Sequence, residues 1–369
     1  MKFLRLAFYV LIAQLVLSGC AGEGVEETSS SSSSEITFDA YVGRNASTRL
    51  GINDLDSLQS NNRWNSGFGV FARYNNIHLM DDEHVFWQGD HWGYEHTRYW
   101  PSEGSVDFYA FAPWIPSLNL VNKPRSNEAN PTYIDFPSTQ SPVDLLWANA
   151  LKQTKESISS TNGKVKFQFE HATARLGLDI TAKKELEKNG AVITVEEVNL
   201  FGHGKDDYVG VFDMEGFLNL KTGEWYVVPN KDTRWYYAWT PTGKVGKDDD
   251  EKYDPSKGTV LKLSASQLDD TNNIITNDKD SYIFIVPQTK NEPFYLKITY
   301  TVKQEDFEEK VTVRKNLLDV LQPGVSNPSF TFVGGKAYVF HLKLLDPINF
   351  SVTADVKDWN VGKDETISL

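Results

Sequence analysis

From Glu35 onward, apolar and polar positions alternate with period two. Ile36, Phe38, Ala40 and Val42 fall on one face, and Thr37, Asp39 and Tyr41 on the other. Alternation of this kind predicts a strand with one buried face. The pattern recurs at Val165-Phe167-Phe169, Leu176-Leu178-Ile180, Phe294-Leu296-Ile298-Tyr300-Val302, Tyr338-Phe340-Leu342-Leu344 and Ile348-Phe350-Val352-Ala354-Val356. Segments rich in Gly, Pro, Asn and Asp separate the runs, as turns between short strands do. Only Ala182 to Asn189 has a short helical composition, and no strand–helix–strand rhythm appears. The pattern predicts an all-β chain built of antiparallel β-sandwiches rather than a doubly wound sheet. The charged stretch from Lys183 to Gly190 is the expected junction between an N-terminal sandwich over residues 36–185 and a C-terminal one over residues 190–369.

Composition agrees with that reading. The chain has 369 residues, of which 40% are hydrophobic and 13% aromatic, enough for a sizeable core and for two domains of about 100–200 residues each. Ten Trp, 16 Tyr and 21 Phe beside three Met favour sheets, whose pleated, half-buried surfaces suit aromatic side chains. Lys plus Arg number 37 against 50 Asp plus Glu, a net charge of −13, which leaves no general phosphate-neutralising surface and argues against nucleic acid as a partner.

The single cysteine rules out an internal disulfide and any cysteine-built zinc or iron–sulfur site. Its surroundings carry a different message. Lys2 and Arg5 make a short basic region, Leu6 to Leu17 is almost wholly apolar, and Ser18-Gly19 precede Cys20. Residues 1–19 read as an export signal, too short to remain as a membrane-spanning helix. Leu17-Ser18-Gly19-Cys20 resembles the bacterial lipobox, in which the cysteine thiol takes acyl chains of the palmitate type and becomes the first residue of the mature protein. Residues 20–35, with six consecutive serines from Ser29 to Ser34, have little to bury and read as a tether between lipid and fold.

Motifs for catalysis are missing or lack their backbone context. Gly67-Phe68-Gly69-Val70-Phe71-Ala72 matches a dinucleotide fingerprint by letters alone, with no strand–turn–helix unit around it, and reads as a strand. No phosphate loop, His-Glu-x-x-His helix or Gly-x-Ser-x-Gly elbow is present. His84, His91 and His96 among Asp82, Asp90 and Glu95 have the donors for a transition metal, yet Phe86, Trp87, Trp92, Tyr94, Tyr99 and Trp100 make an aromatic hairpin the stronger reading. Asp248-Asp249-Asp250-Glu251 with Asp254 could offer oxygen ligands to calcium but lacks the EF-hand spacing, so an acidic surface loop is expected. His171 lies beside a strand and is expected to make a structural hydrogen bond. The chain is therefore read as a non-enzyme with no cofactor and no metal site.

Several segments, in order, resemble the fimbrillin family, the subunits of type V pili. They are the lipobox at Cys20, the strand Ile36-Thr37-Phe38-Asp39-Ala40 and Thr48-Arg49 after it. Next come Val106-Asp107-Phe108-Tyr109-Ala110-Phe111-Ala112-Pro113, Asp144-Leu145-Leu146-Trp147-Ala148 and Phe167 to Leu176, and finally Val352-Thr353-Ala354-Asp355-Val356-Lys357-Asp358-Trp359. The resemblance implies two tandem transthyretin-like sandwiches, export as a lipoprotein and exposure at the outer membrane in fimbriae that support adhesion. It further implies maturation by an arginine-specific protease at Arg49, with Arg44 as the alternative, and filling of the vacated groove by a neighbour's terminal strand. For that strand it singles out Val352, Ala354, Val356 and Trp359. Implied partners are other fimbrial subunits, outer-membrane lipid through the acylated cysteine before processing, and a host protein or glycan. Two alternatives stay open. The terminal segment is otherwise the last strand of its own domain, and the whole chain is otherwise a surface lipoprotein binding glycans through exposed aromatics such as Trp225-Tyr226 and Trp235-Tyr236-Tyr237-Ala238-Trp239.

Overall fold

The computed structural model describes residues 35–42, 58–59, 67–75, 77–114, 133–137, 144–182, 192–202, 212–213, 215–228, 235–239, 244–247, 261–262, 283–346, 349–358 and 367–368. Strands dominate. The first half of the chain supplies β1 (Phe38–Val42), β2 (Phe68–Tyr74), β3 (Ile77–Trp87), β4 (Trp92–Gly93) and β5 (Val106–Ala112). It continues with β6 (Tyr133–Pro137), β7 (Leu146–Gln153) and β8 (Val165–His171). Then follow β9 (Ala174–Ala182), β10 (Val192–Gly202), β11 (Glu215–Asn219), β12 (Trp225–Val228), β13 (Trp235–Trp239), β14 (Lys244–Lys247) and β15 (Leu261–Lys262). The last group is β16 (Ile283–Ile285), β17 (Gln288–Lys290), β18 (Phe294–Gln304), β19 (Phe307–Asn316), β20 (Phe330–Phe332), β21 (Lys336–Asp346), β22 (Asn349–Asp358) and β23 (Ile367–Ser368).

The all-β class expected from the alternation is what the fold shows. β8 reads strictly buried, exposed, buried along its length, with Val165, Phe167 and Phe169 inward. Leu176, Leu178 and Ile180 of β9, the five alternating residues of β18 and Tyr338, Phe340, Leu342 and Leu344 of β21 are buried as well. Gly67 to Ala72 enters β2, and Gly67 has a left-handed φ of 70° against the β3 backbone, where an added Cβ would come within 2.0 Å of the Val85 carbonyl oxygen.

Five sheets result. The first orders its strands β1-β8-β7-β5-β2-β3-β4. The second, β14-β13-β10-β18-β19 with β15 beside β10, faces the third, β16-β9-β21-β22-β23, across a shared apolar core that includes Leu176, Phe294, Tyr300, Phe340 and Phe350. A small sheet, β12-β11-β6, joins the halves, because β6 comes from the first half of the chain and pairs with β11. The fifth is the β17-β20 pair. Two ladders are parallel within this otherwise antiparallel set: β1 on β8, and β9 on β21. Each needs a long connection, which the chain provides in both cases.

Core residues form three clusters. One lies within residues 36–169, one within residues 174–354, and a third brings Phe71, Tyr109, Phe111 and Leu145 together with Leu218 of the small sheet and Val286. The expected junction, residues 183–190, lies outside the described residues, as does the helical composition read there. Among the described residues, the sequence reading did not anticipate the short helix α1 (Leu317–Leu321) or the 3-10 turn Ser157–Thr161. The signal for α1 was Asn316, whose side chain accepts from the Leu318 amide at 3.1 Å and caps the turn, with Leu317, Leu318 and Leu321 packed into the core.

Candidate functional site

The first strand is the most distinctive feature of the N-terminal half. Among the described residues β1 sits at the end of the seven-stranded sheet, with β8 beside it in the ladder, running from Phe38 opposite Val165 to Val42 opposite Phe169. The three alternating apolar residues of β1 and Ile36 just ahead of it are inward: Ile36 is fully buried, Phe38 is 1% exposed, and Ala40 and Val42 are buried too. Phe38 is the centre of an aromatic cluster. Its ring stacks on Phe167 at 5.7 Å and meets Tyr94, Phe108 and Phe68 at 5.6, 5.9 and 6.4 Å.

Backbone pairing just ahead of β1 is two-sided. The Ile36 amide donates to the Arg98 carbonyl at 2.8 Å, while on the opposite side the Val165 amide donates to the Thr37 carbonyl at 2.8 Å. The Tyr94 hydroxyl donates to the Ile36 carbonyl at 2.7 Å and accepts from the Arg98 amide at 3.1 Å. Burial pushes that phenol up to about 12, so it remains a donor throughout the physiological range. The segment is thus held in a slot between β8 and the loop after β4. The slot is lined by apolar side chains and by the β8 edge that β1 pairs with, so removal of the segment would expose both.

At the other end of the chain, Val352, Ala354 and Val356 lie on β22, which pairs antiparallel with β21 from Lys336–Asp358 to Leu344–Phe350, with a further irregular pair at Asp346–Asn349. Ala354 is buried, and Val352 and Val356 pack partly buried against the C-terminal core. β23 adds to the outer edge of β22 through Asp355–Ser368 and Val356–Ile367. Cys20, Arg44, Arg49 and Trp359 lie outside the described residues.

The histidine-rich hairpin holds no metal cluster among the described residues. His91 pairs with Asp90 at 2.6 Å, His96 with Glu83 at 3.1 Å, and His84 stacks on Trp114 with ring centres 3.8 Å apart. Asp82, in a left-handed turn of the strand with φ 51°, accepts from the Trp114 indole at 3.0 Å. Desolvation by burial raises its carboxyl to about 6, against the lowering effect of that hydrogen bond, and the neighbouring Glu83 and Asp81 charges push the same way as burial. His171 meets Asp144 at 2.8 Å, both buried, a structural hydrogen bond linking β8 to the segment before β7. Trp225 is half-buried and Tyr226 exposed, while residues 248–254 lie outside the described residues.

Comparison with known proteins agrees with this architecture. Residues 58–359 match the family model described as fimbrillin-like. Over 398 aligned residues the chain is 21% identical to fimbrium subunit Fim1C of Phocaeicola vulgatus, and 98% of each chain is covered. A crystal structure of a fimbrial protein from Bacteroides vulgatus superposes with a TM-score of 0.55 at 16% identity, covering 88% of this chain and 99% of that one. That likeness extends to the fold. The tip fimbrial protein Mfa3 of Porphyromonas gingivalis, truncated at its C-terminus, aligns over 88% of this chain and 100% of its own at 13% identity, with a TM-score of 0.37.

Proposed function

The chain belongs to the fimbrillin-like family, and from that premise we propose that it is a subunit of cell-surface fimbriae, as a shaft or an accessory or tip component, assembled by exchange of its first strand. The observation that carries the reading is β1: among the described residues an edge strand parallel to β8, whose inward Phe38, Ala40 and Val42, with Ile36 just ahead, fill an aromatic slot. A strand in that position can leave without unthreading the rest of the sheet. What remains would be an apolar groove beside an open strand edge, the receptor geometry of β-augmentation.

In this reading Cys20 is acylated and anchors the exported chain to the outer membrane, with residues 20–35 as its tether. Cleavage after Arg49, or after Arg44, releases β1 with the lipid. The segment from Val352 to Leu369 of a neighbouring subunit then enters the groove, with Val352, Ala354 and Val356 taking inward positions and Trp359 as an anchor. Two sandwiches, over residues 36–185 and 190–369, divide the labour: the first receives and the second donates. Burial of each aliphatic side chain contributes roughly 1.5–3 kcal/mol before ordering costs, so a few together can support a durable polymer. The donor must give up its pairing with β21 in the process, which makes exchange a competition between two ladders. The role is structural and adhesive rather than catalytic.

The test uses a chain beginning at Leu50 and two synthetic peptides, one of residues 349–369 and one of residues 35–43. The reading expects the terminal peptide to bind the shortened chain and to lose binding when Val352, Ala354 and Val356 are all replaced by Asp. If the 35–43 peptide rebinds, so that the groove is intact, and the terminal peptide does not, strand exchange through this segment is wrong.

A further inference from the structure

A cavity of about 520 Å³ opens at the seam where the small joining sheet meets β7–β8 on one side and β17–β20 on the other. It is separate from the β1 slot. Two indoles from different elements form its wall, Trp147 of β7 and Trp225 of β12. Both are held by neighbouring backbone. The turn after β11 runs so close to Trp147 that a Cβ on Gly223 would come within 2.2 Å of the indole, and Gly223 has a left-handed φ of 73° there. The Trp225 indole N–H donates to the Ala172 carbonyl at 2.9 Å, which fixes the ring plane.

Polar groups stand beside these rings. Glu170 is the cross-strand partner of Trp147 in the β7–β8 ladder, so an exposed carboxylate and an indole project from the same face as nearest neighbours. On the opposite rim Thr289 and Thr331 bring their exposed hydroxyls within 2.9 Å of each other. Gln288 also lines the space, but its amide is committed to Asp213 and to the Val286 carbonyl. No lysine or arginine is among the described lining residues.

The geometry points to a binding site for a neutral pyranose, such as the terminal sugar of a surface glycan. The volume lies within the roughly 300–1,000 Å³ of small-molecule sites, which favour seams between packed units. A sugar ring presents one face of C–H groups, which packs on an indole, and a rim of hydroxyls, which a carboxylate and paired hydroxyls bind as acceptors and donors. A carboxylate with no lysine or arginine among the described lining residues, on a chain of net charge −13, disfavours an anionic ligand. A quaternary ammonium would need only the rings and the charge, and would leave the threonine pair without a role. The site is independent of assembly and can be assayed on the unpolymerised chain, so its failure leaves the fimbrial reading untouched.

The purified full-length chain would be titrated with the methyl β-glycosides of glucose, galactose and N-acetylglucosamine and with choline, using saturation-transfer NMR and calorimetry. The expected result is saturable binding of at least one glycoside, weakened about tenfold or more by Trp225→Ala and by Glu170→Gln, each able to remove one principal contact. Because Trp225 also supports packing, the exposed-position variants Glu170→Gln and Thr331→Val decide the matter if Trp225→Ala fails to fold. No glycoside binding, binding unchanged in both exposed-position variants, or choline binding more tightly than every glycoside would each overturn the assignment.

Discussion

Phe38 shows how much a single side chain can carry. It is 1% exposed and touches four aromatic rings contributed by β2, β5, β8 and the loop after β4. Phe38→Ala should therefore lower stability by about 3–5 kcal/mol, read by denaturant unfolding of the uncut chain, because the cavity left behind is walled by rigid rings. Asp82 makes a prediction of opposite sign. Its folded-state carboxyl titrates at about 6 against a usual 3.8, so the stability associated with its protonated form is complete below 3.8 and is lost as pH rises through about 6. Asp82→Asn keeps an acceptor for the Trp114 indole and suits the left-handed φ. It should stabilise the protein at pH 7.5 by about 1 kcal/mol after allowance for solvent screening, with the gain fading toward pH 4. A gain equal at both pH values would remove burial of a charge as its cause. The inward pattern Ile36, Phe38, Ala40, Val42 was legible in the sequence because period-two alternation records burial directly. The trapped carboxylate at Asp82 was not, since its state depends on Trp114, 32 residues away.

At the scale of elements, the long alternating strands were the easy part. β8 buries one face over its length and β18 buries its alternating apolar residues from Phe294 to Val302, and their letters say so. Their partners were beyond reach. Nothing local in Phe38–Val42 announces a parallel neighbour at Val165–His171, and nothing in Tyr133–Pro137 announces pairing with Glu215–Asn219, because register is set by contacts far apart in the chain. The five-residue helix α1 fell below the length at which apolar periodicity can be distinguished from a strand. The cavity between Trp147 and Trp225 was equally invisible, as it forms only once three sheets meet. One consequence belongs to β1 itself. Its inward side chains and its pairing with β8 are independent of the connection to β2, so a single cut after Arg44 or Arg49 should leave β1 bound but no longer covalently held. Limited trypsin digestion followed by native and denaturing mass measurement should find that two-piece complex first. A first product that begins deep inside a sheet would show that the connection is not the accessible site.

For the whole molecule, membership of the fimbrillin-like family goes with an acidic, strand-built chain, and the proposed account adds export and a first strand that detaches. Among the described residues no helix is long and apolar enough to cross a membrane. The attachment proposed for this chain is the lipid at Cys20. Cys20→Ser should move the protein from the membrane fraction to the soluble one while leaving its unfolding transition unchanged. Retention in the membrane fraction, with no acyl mass on the parent's N-terminal peptide, would remove the lipid anchor. The central claim is that β1 is lost when the subunit joins a fibre. The most direct measurement is the N-terminus of this chain in fimbriae isolated from the cell surface, determined by mass spectrometry. The account predicts a chain that begins at Leu50, or at Asn45 if Arg44 is cut, with no peptide from Ile36 to Val42 remaining. Assembled subunits that still begin at Cys20 and retain Phe38 would contradict it.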